Sequence, residues 1–442
     1  MIDFSQSIGN TQSYARLSAR GPLMGRLGLL RDHDFRGLFL STTVSQFGQQ
    51  VTMLALPLVA VIALDVSEFE VGALAAMTTL AFLLVGLPAG AWVDRMRRRR
   101  VLINCDLIRS ALLITVPLAW WADVLTIWQL YAVAFVSGVF TVFFDVAYQS
   151  YLPSLVGREK LIEGNAKLET VRSTAHLSGP ALAGQLIGWL GAPIALFVDA
   201  VTMGASALFV TRIRRREPRP EVEHGSKITS EVREGLAFVL RNPYLRAIVG
   251  STGWFNLWSS GFMAMQVVYL ERELGLTAGQ IGLLLSSFGI GGLLGSFVAR
   301  RIASWIGEGR VLWVATAVTS PGMLILPAVE PDWTLLLATA GMVLVGTGGV
   351  VYNVTQVSFR QQLTPDRMLG RMNATIRCLV WGVLPLGSLL GGALGQAYGS
   401  RTALWICAAA GCLTFVPVLL SPLRNLRELP RHAEEEPEPV AA

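Results

Sequence analysis

Ionisable side chains interrupt otherwise apolar stretches of this 442-residue chain, among them Asp106, Arg109, Asp145, His176 and Asp199. A charge among apolar residues is costly, so each is expected either to be paired or to serve a function. Asp106 and Arg109 stand three residues apart, on one face of a helix, a spacing that suits mutual neutralisation. Direct contact with a bound molecule is the alternative for that pair. His176, with an unperturbed pKa of about 6.5, has the chemistry to pass a proton between aqueous compartments, or else to serve as a hydrogen-bonded core residue. Asp199 reads equally as a coupling group or as a fold-stabilising one. Other chemistry is excluded by what is scattered or missing. The four histidines (His33, His176, His224, His432) are too dispersed for a catalytic cluster, and Cys105, Cys378, Cys407 and Cys412 lack metal-ligand spacing, so no metal site, disulfide framework or enzyme is expected. The lysines are Lys160, Lys167 and Lys227, none after a glycine, so there is no phosphate-binding loop and no cofactor is expected.

The elements that must hold these residues are apolar and long. Hydrophobic residues make up 52% of the chain and charged ones 15%, with a mean hydropathy of +0.52, a balance that places it in the membrane class. Spanning a bilayer takes roughly 20 apolar residues. Charge-free runs of about that length are Gly37–Leu64, Val71–Val93, Val124–Phe144, Ala247–Leu270, Leu274–Ala299, Val311–Val329, Trp333–Phe359, Cys378–Ser400 and Thr402–Leu423. Three more tolerate polar residues: Val101–Ala122, Leu168–Leu190 and Ala192–Thr211. The fold class is therefore all-α and polytopic, with twelve transmembrane helices.

The formal charge of +6 does not point to nucleic acid, because the arginines fall in alternate loops. They cluster before the first span (Arg31, Arg36), after the second (Arg95, Arg97, Arg98, Arg99, Arg100) and after the sixth (Arg212, Arg214, Arg215, Arg216, Arg219). The positive-inside rule then puts those loops and both termini in the cytoplasm of a cell whose inner membrane the chain crosses. Trp120, Trp121, Trp128, Trp189 and Trp333 suit an aromatic belt at the other interface. The first 36 residues lack the apolar core of a cleavable signal.

The chain also repeats itself. At a shift of about 210, Arg31, Arg36, Ser41 and Thr42 meet Arg241, Arg246, Ser251 and Thr252; at about 208, Asn165, Gly179 and Gly184 meet Asn373, Gly387 and Gly392. Two related halves follow, joined where hydrophobicity breaks and Val232, Leu236 and Val239 share a helical face. The expected division is an N-terminal segment (1–36), a six-helix bundle (37–211), a linker with an amphipathic helix (212–243), a second bundle (244–423) and an acidic, disordered tail (424–442).

Gly90 to Arg99 reads Gly-Ala-Trp-Val-Asp-Arg-Met-Arg-Arg-Arg, which resembles the cytoplasmic loop signature of the major facilitator superfamily, with Arg97 where that family has glycine. Gly179, Pro180 and Gly184 resemble part of the antiporter signature of its exporters, a helix kink flanked by small residues. Arg31-x-x-x-Phe35-Arg36, Phe143-Phe144-Asp145-x-x-Tyr148-Gln149 and Leu369-Gly370-Arg371-x-Asn373 are similar to the branch containing the enterobactin exporter and macrolide efflux proteins. The resemblance implies two pseudo-symmetric bundles and secondary active, proton-coupled export of a small amphiphilic molecule by a monomer; an importer of the same fold is the alternative. It implies a gating latch of Gly90, Asp94, Arg95, Arg98 and Asp145. Around a central cavity it places Gln46 and Gln50 on the first span, Trp254 and Trp258 on the seventh, and Asn353 on the tenth.

Overall fold

The computed structural model of the chain describes residues 28–93, 95–215, 217 and 228–426, and among them there are helices and no strands. The first bundle is α1 (His33–Leu58), α2 (Glu68–Val93), α3 (Arg98–Trp121), α4 (Ile127–Val156), α5 (Leu161–Leu190) and α6 (Ala192–Thr211). A linker helix, α7 (Ile228–Arg241), leads to α8 (Pro243–Val268), α9 (Ala278–Ile306), α10 (Glu308–Thr319) and α11 (Leu335–Leu363). Two broken spans finish the second bundle: α12 (Asp366–Trp381) with α13 (Leu384–Tyr398), and α14 (Ser400–Gly411) with α15 (Val416–Leu419). Ten spans are long and apolar enough to cross a membrane by composition. The other two expected spans, α5 and α8, have the length but are more polar, carrying Glu163, Lys167, Glu169, Arg172 and His176, and Asn256 and Gln266.

Local chemistry sets where helices start and stop, and it does so twice over. Asp32 caps α1, its Oδ1 accepting from the N–H groups of Asp34 (2.8 Å) and Phe35 (3.0 Å). At the repeat-related position, Asn242 caps α8 through Tyr244 (3.0 Å) and Leu245 (3.2 Å). Both helices end in one widened turn, in which Leu64 N–H donates to Val59 O (3.2 Å) and Leu274 N–H to Tyr269 O (3.1 Å). The breaks in the later spans follow proline: Pro321 and Pro327 after α10, Pro385 at the start of α13 and Pro417 in α15.

The two ends of the molecule differ in how the bundles meet. At the end away from the arginine-bearing loops, one hydrophobic core draws on both bundles: Leu58, Val116, Leu130 and Leu196 belong to the same cluster as Phe262, Tyr269, Ile281 and Leu404. At the arginine-bearing end each bundle has its own. Phe35, Leu102, Tyr151, Leu155 and Val210 pack in the first; Ile248, Leu312 and Phe359 in the second. The linker helix joins the second bundle there, burying Val239 against Met372, Ile376 and Val380. Leu236 is half-buried on that helix, and the side chain of Val232 lies outside the described residues. The tryptophans expected at the opposite interface (Trp120, Trp121, Trp128, Trp189, Trp333) are all exposed.

Candidate translocation site

At the joined end the bundles touch through two glycine contacts related by the internal repeat. A Cβ on Gly72 of α2 would come within 2.6 Å of Gly392 Cα and 2.7 Å of Ser388 O on α13. Across the pseudo-twofold, a Cβ on Gly184 of α5 would lie 3.0 Å from Gly282 Cα on α9, and one on Gly282 the same distance from Gly184 Cα. Any side chain there would wedge the helices apart, so glycine sets the closeness of the seam. Pro180 has no N–H to give its own helix, and the next residue, Ala181, donates instead to Ser286 Oγ of α9 (2.9 Å). The Gly179, Pro180 and Gly184 triplet is thus part of a contact between bundles. Arg272 locks the same end, its guanidinium reaching Asp65 Oδ1 (2.9 Å), Glu68 Oε1 (3.3 Å) and Val66 O (2.7 Å) of the first bundle.

Toward the arginine-bearing end α2 and α12 part. A Cβ on Gly86 or Gly90 would have nothing within 4 Å among the described residues. Gly90, expected to permit close helix approach, makes none with any described residue. Between α2, α4 and the α12–α13 span lies a cavity of about 130 Å³ whose wall includes Phe82, Asp145, Gln149, Arg377, Cys378 and Trp381. Of the first, fourth, seventh and tenth spans expected around a central cavity, the fourth alone lines this one, and of the site residues picked from the sequence, Asp145 alone does.

The residues of the expected latch lie as follows. Asp145 was expected to join Asp94, Arg95 and Arg98. Asp94 lies outside the described residues, and Arg95 is exposed in a turn, its N–H donating to Trp92 O (3.1 Å). The N–H groups of Arg98 (2.9 Å) and Arg99 (3.2 Å), at the positive start of α3, are taken by the carboxylate of Glu217 from the linker. Asp145 instead lines the cavity, as Arg377 does from the second bundle.

The two carboxylates buried in the first bundle are held in separate polar groups. Asp106, fully buried, meets Arg109 at 3.6 Å and accepts from Ser206 Oγ at 2.6 Å, and Ser206 in turn shares a 2.7 Å hydrogen bond with Ser41. Asp106 Oδ1 and Arg109 Nε have no hydrogen-bond partner among the described residues. The Arg109 guanidinium lies 5.9 Å from the Phe144 ring centre. Asp199 accepts from Thr52 of α1 and, at 2.9 Å, from Thr202. Gly48 makes that possible, since a Cβ there would fall within 3.2 Å of Asp199 Cγ.

His176 is exposed within α5, beside the seam, with Gln50 Nε2 at 3.5 Å from its Nδ1. Gly179 leaves the room Gln50 needs, because a Cβ there would lie 2.9 Å from Gln50 Cβ. Gln46 is half-buried nearby on α1. Trp254 and Trp258 pair at 5.9 Å, but the Trp254 indole donates to Ala410 O (2.7 Å), which ties it to α14. Asn353 accepts from Gln356 Nε2 (3.0 Å). Arg377, Trp381, Gln149, Glu217 and Arg272 are functional candidates that the sequence did not single out.

Two helical bundles joined at one end and parted at the other, with a charged cavity in the gap, are the architecture of a membrane carrier. The profile of the Major Facilitator Superfamily matches residues 38–385 and 260–442, and the chain belongs to that superfamily. It is 27% identical over 410 residues to the multidrug efflux pump Tap of Mycobacterium tuberculosis, covering 89% of this chain and 95% of that protein. It is 25% identical over 422 residues to the enterobactin exporter EntS of Citrobacter koseri, covering 94% and 97%. Its fold matches the crystal structure of a bacterial homologue of the iron transporter ferroportin in the inward-facing state, with a TM-score of 0.72 and 17% identity over 89% of this chain and 98% of that one. Against the outward-facing state of that homologue the TM-score is 0.58, at 16% identity over 87% and 98%. The protein is therefore a multi-pass membrane transporter for a small molecule.

Proposed function

We propose that this transporter is a secondary active exporter, taking a small amphiphilic molecule of the drug, siderophore or secondary-metabolite kind from the cytoplasm in exchange for protons. The observation that carries this reading is the asymmetry of the cores: one cluster spans both bundles at one face, and separate clusters serve them at the other. The positive-inside rule assigns the parted, arginine-bearing face and both termini to the cytoplasm. In the conformation described, the gap then opens where an exporter loads. The names of Tap and EntS support the outward direction.

Transport follows by exchanging which end is sealed. The glycine seam and the Arg272 latch open as the bundles rock, and α12 closes on α2. The register of the seam, Gly72 on Gly392 and Leu83 on Gly382, brings Gly86 to Cys378 and Gly90 to Ala374, filling the space now vacant. Asp94, Arg95 and Arg98 latch that closed state. His176, exposed and held by an amide, is the candidate carrier of the coupled proton, with the Asp106–Arg109 pair as a rigid structural group behind it. The protein acts as a monomer in the inner membrane.

Inverted membrane vesicles from overproducing cells, energised and screened with antibiotics, siderophores and dyes, test direction and coupling together. Uptake that collapses with a protonophore is expected; accumulation of the same compounds in whole cells identifies an importer and overturns the proposal. Asp94→Asn is expected to leave the protein in the membrane while sharply cutting transport. His176→Ala is expected to abolish uphill export and spare downhill exchange; loss of both assigns His176 to packing.

A further inference from the structure

The cavity between α2, α4 and the α12–α13 span has a charge pattern that specifies the kind of molecule it accepts, on the reading that the protein transports a small amphiphile. Its volume, about 130 Å³, is close to that of cavities known to admit a single benzene ring. One wall is aromatic: Phe82 and Trp381 pack edge to face at 5.2 Å and 74°. The Arg377 guanidinium sits 4.6 Å from the Trp381 ring centre, which fixes a positive charge at that wall.

The opposite charge comes from the other bundle. Asp145 lines the cavity from α4 and has no hydrogen bond or ion pair to any described residue, and Gln149, one turn further on, adds an exposed amide. Val142, Val146 and Phe82 line the same cavity, so a charge bound there has few other polar groups to meet it. A cation satisfies Asp145 and is repelled by Arg377; an anion meets the reverse. A molecule carrying both charges leaves neither group uncompensated.

We propose that this cavity is a subsite for a zwitterionic, ring-bearing end of the substrate, its protonated amine toward Asp145, its anionic group toward Arg377 and its ring against Phe82 and Trp381. The two charged anchors belong to different bundles. A zwitterion bound between them bridges the gap and favours closure of the cytoplasmic face, whereas a singly charged molecule holds to one bundle and does not.

Cys378 lines the same cavity and reports on its occupancy. The full-length protein in lipid nanodiscs is alkylated with N-ethylmaleimide, and the rate at Cys378 is read by peptide mass spectrometry against Cys412, half-buried elsewhere in the second bundle. Three probes share one benzene ring: 4-(aminomethyl)benzoic acid, a zwitterion near neutral pH; its methyl ester, a cation; and its N-acetyl derivative, an anion. The zwitterion is expected to protect Cys378 at concentrations about tenfold lower than the other two, a difference of about 1.4 kcal/mol. Equal protection by all three, stronger protection by the ester or the N-acetyl compound, or protection by none overturns the proposal. Arg377→Gln is expected to move the preference to the ester and Asp145→Asn to the N-acetyl compound, with Arg377→Lys keeping the zwitterion first. Binding and direction are read separately. Protection by the zwitterion without its uptake by inverted vesicles refutes export and leaves the subsite standing.

Discussion

The two membrane faces of this transporter are built from the same repeated helices and use them differently. At the face away from the arginines, helices meet at glycine, with Gly72 against Gly392 and Gly184 against Gly282, and Arg272 bridges to Asp65 and Glu68 above them. At the arginine-bearing face, a Cβ on Gly86 or Gly90 of the same α2 would meet no described residue within 4 Å. On the exchange of seals proposed above, the small residues of α2 provide surfaces for two packings, of which the structure holds one. Stability is divided accordingly, with a shared core at the closed face and private cores at the open one.

That contrast can be broken at several places, with effects of different size. Removing Asp106 leaves the buried Arg109 charge uncompensated inside the private core of the first bundle. Asp106→Ala is expected to cost about 3–5 kcal/mol, read as a lower unfolding temperature in detergent, while the pair Asp106→Leu with Arg109→Met recovers most of it. At the closed face, a side chain at Gly184 meets the backbone of α9. Gly184→Leu is expected to destabilise the sealed arrangement by about 2 kcal/mol, roughly a thirtyfold shift in the conformational equilibrium. Labelling of the loop residue Val124 by a membrane-impermeant thiol reagent, after its replacement by cysteine, measures that opening.

Smaller changes sharpen the comparison. Gly48→Ala presses on the Asp199 carboxyl without touching either seam, so a loss of about 1–2 kcal/mol in stability with an unaltered balance between the faces is expected. Arg272→Gln removes a latch whose partner Asp65 is largely exposed, so its effect on opening is expected to be a few-fold at most and to vanish in high salt. A large, salt-insensitive effect of Arg272→Gln would mean that the latch, and not the glycine contacts, holds the face shut.

The spans and the repeat could be read directly from the chain, because charge-free runs and alternating arginine loops report on lipid and topology whatever the packing. Helix ends were hidden by their caps. Asp32 and Asn242 start α1 and α8 within polar sequence, and α12 begins at Asp366, ahead of the apolar run at Cys378. That second displacement is why Arg377 escaped notice: it appeared to stand outside the span, whereas it lies well inside α12 and faces the cavity with Asp145. The partnership of Asp106 with Arg109 was visible from spacing alone, since residues three apart share a helical face. The contact of Gln50 with His176 was not, because it depends on room left by Gly179 on another helix. Glu217 was invisible for a similar reason, being a linker residue folded back onto the start of α3.

The most direct test of reciprocal opening is a pair of distances measured by electron spin resonance in a cysteine-free background. One label pair replaces the exposed residues Arg100 and Gln362 at the arginine-bearing face, and the other replaces Val124 and Trp333 at the opposite face. On adding a transported compound under a proton gradient, the first distance is expected to shorten as the second lengthens. If both change in the same direction, or if one changes while the other stays fixed, the two faces do not exchange their seals and the alternating arrangement is contradicted.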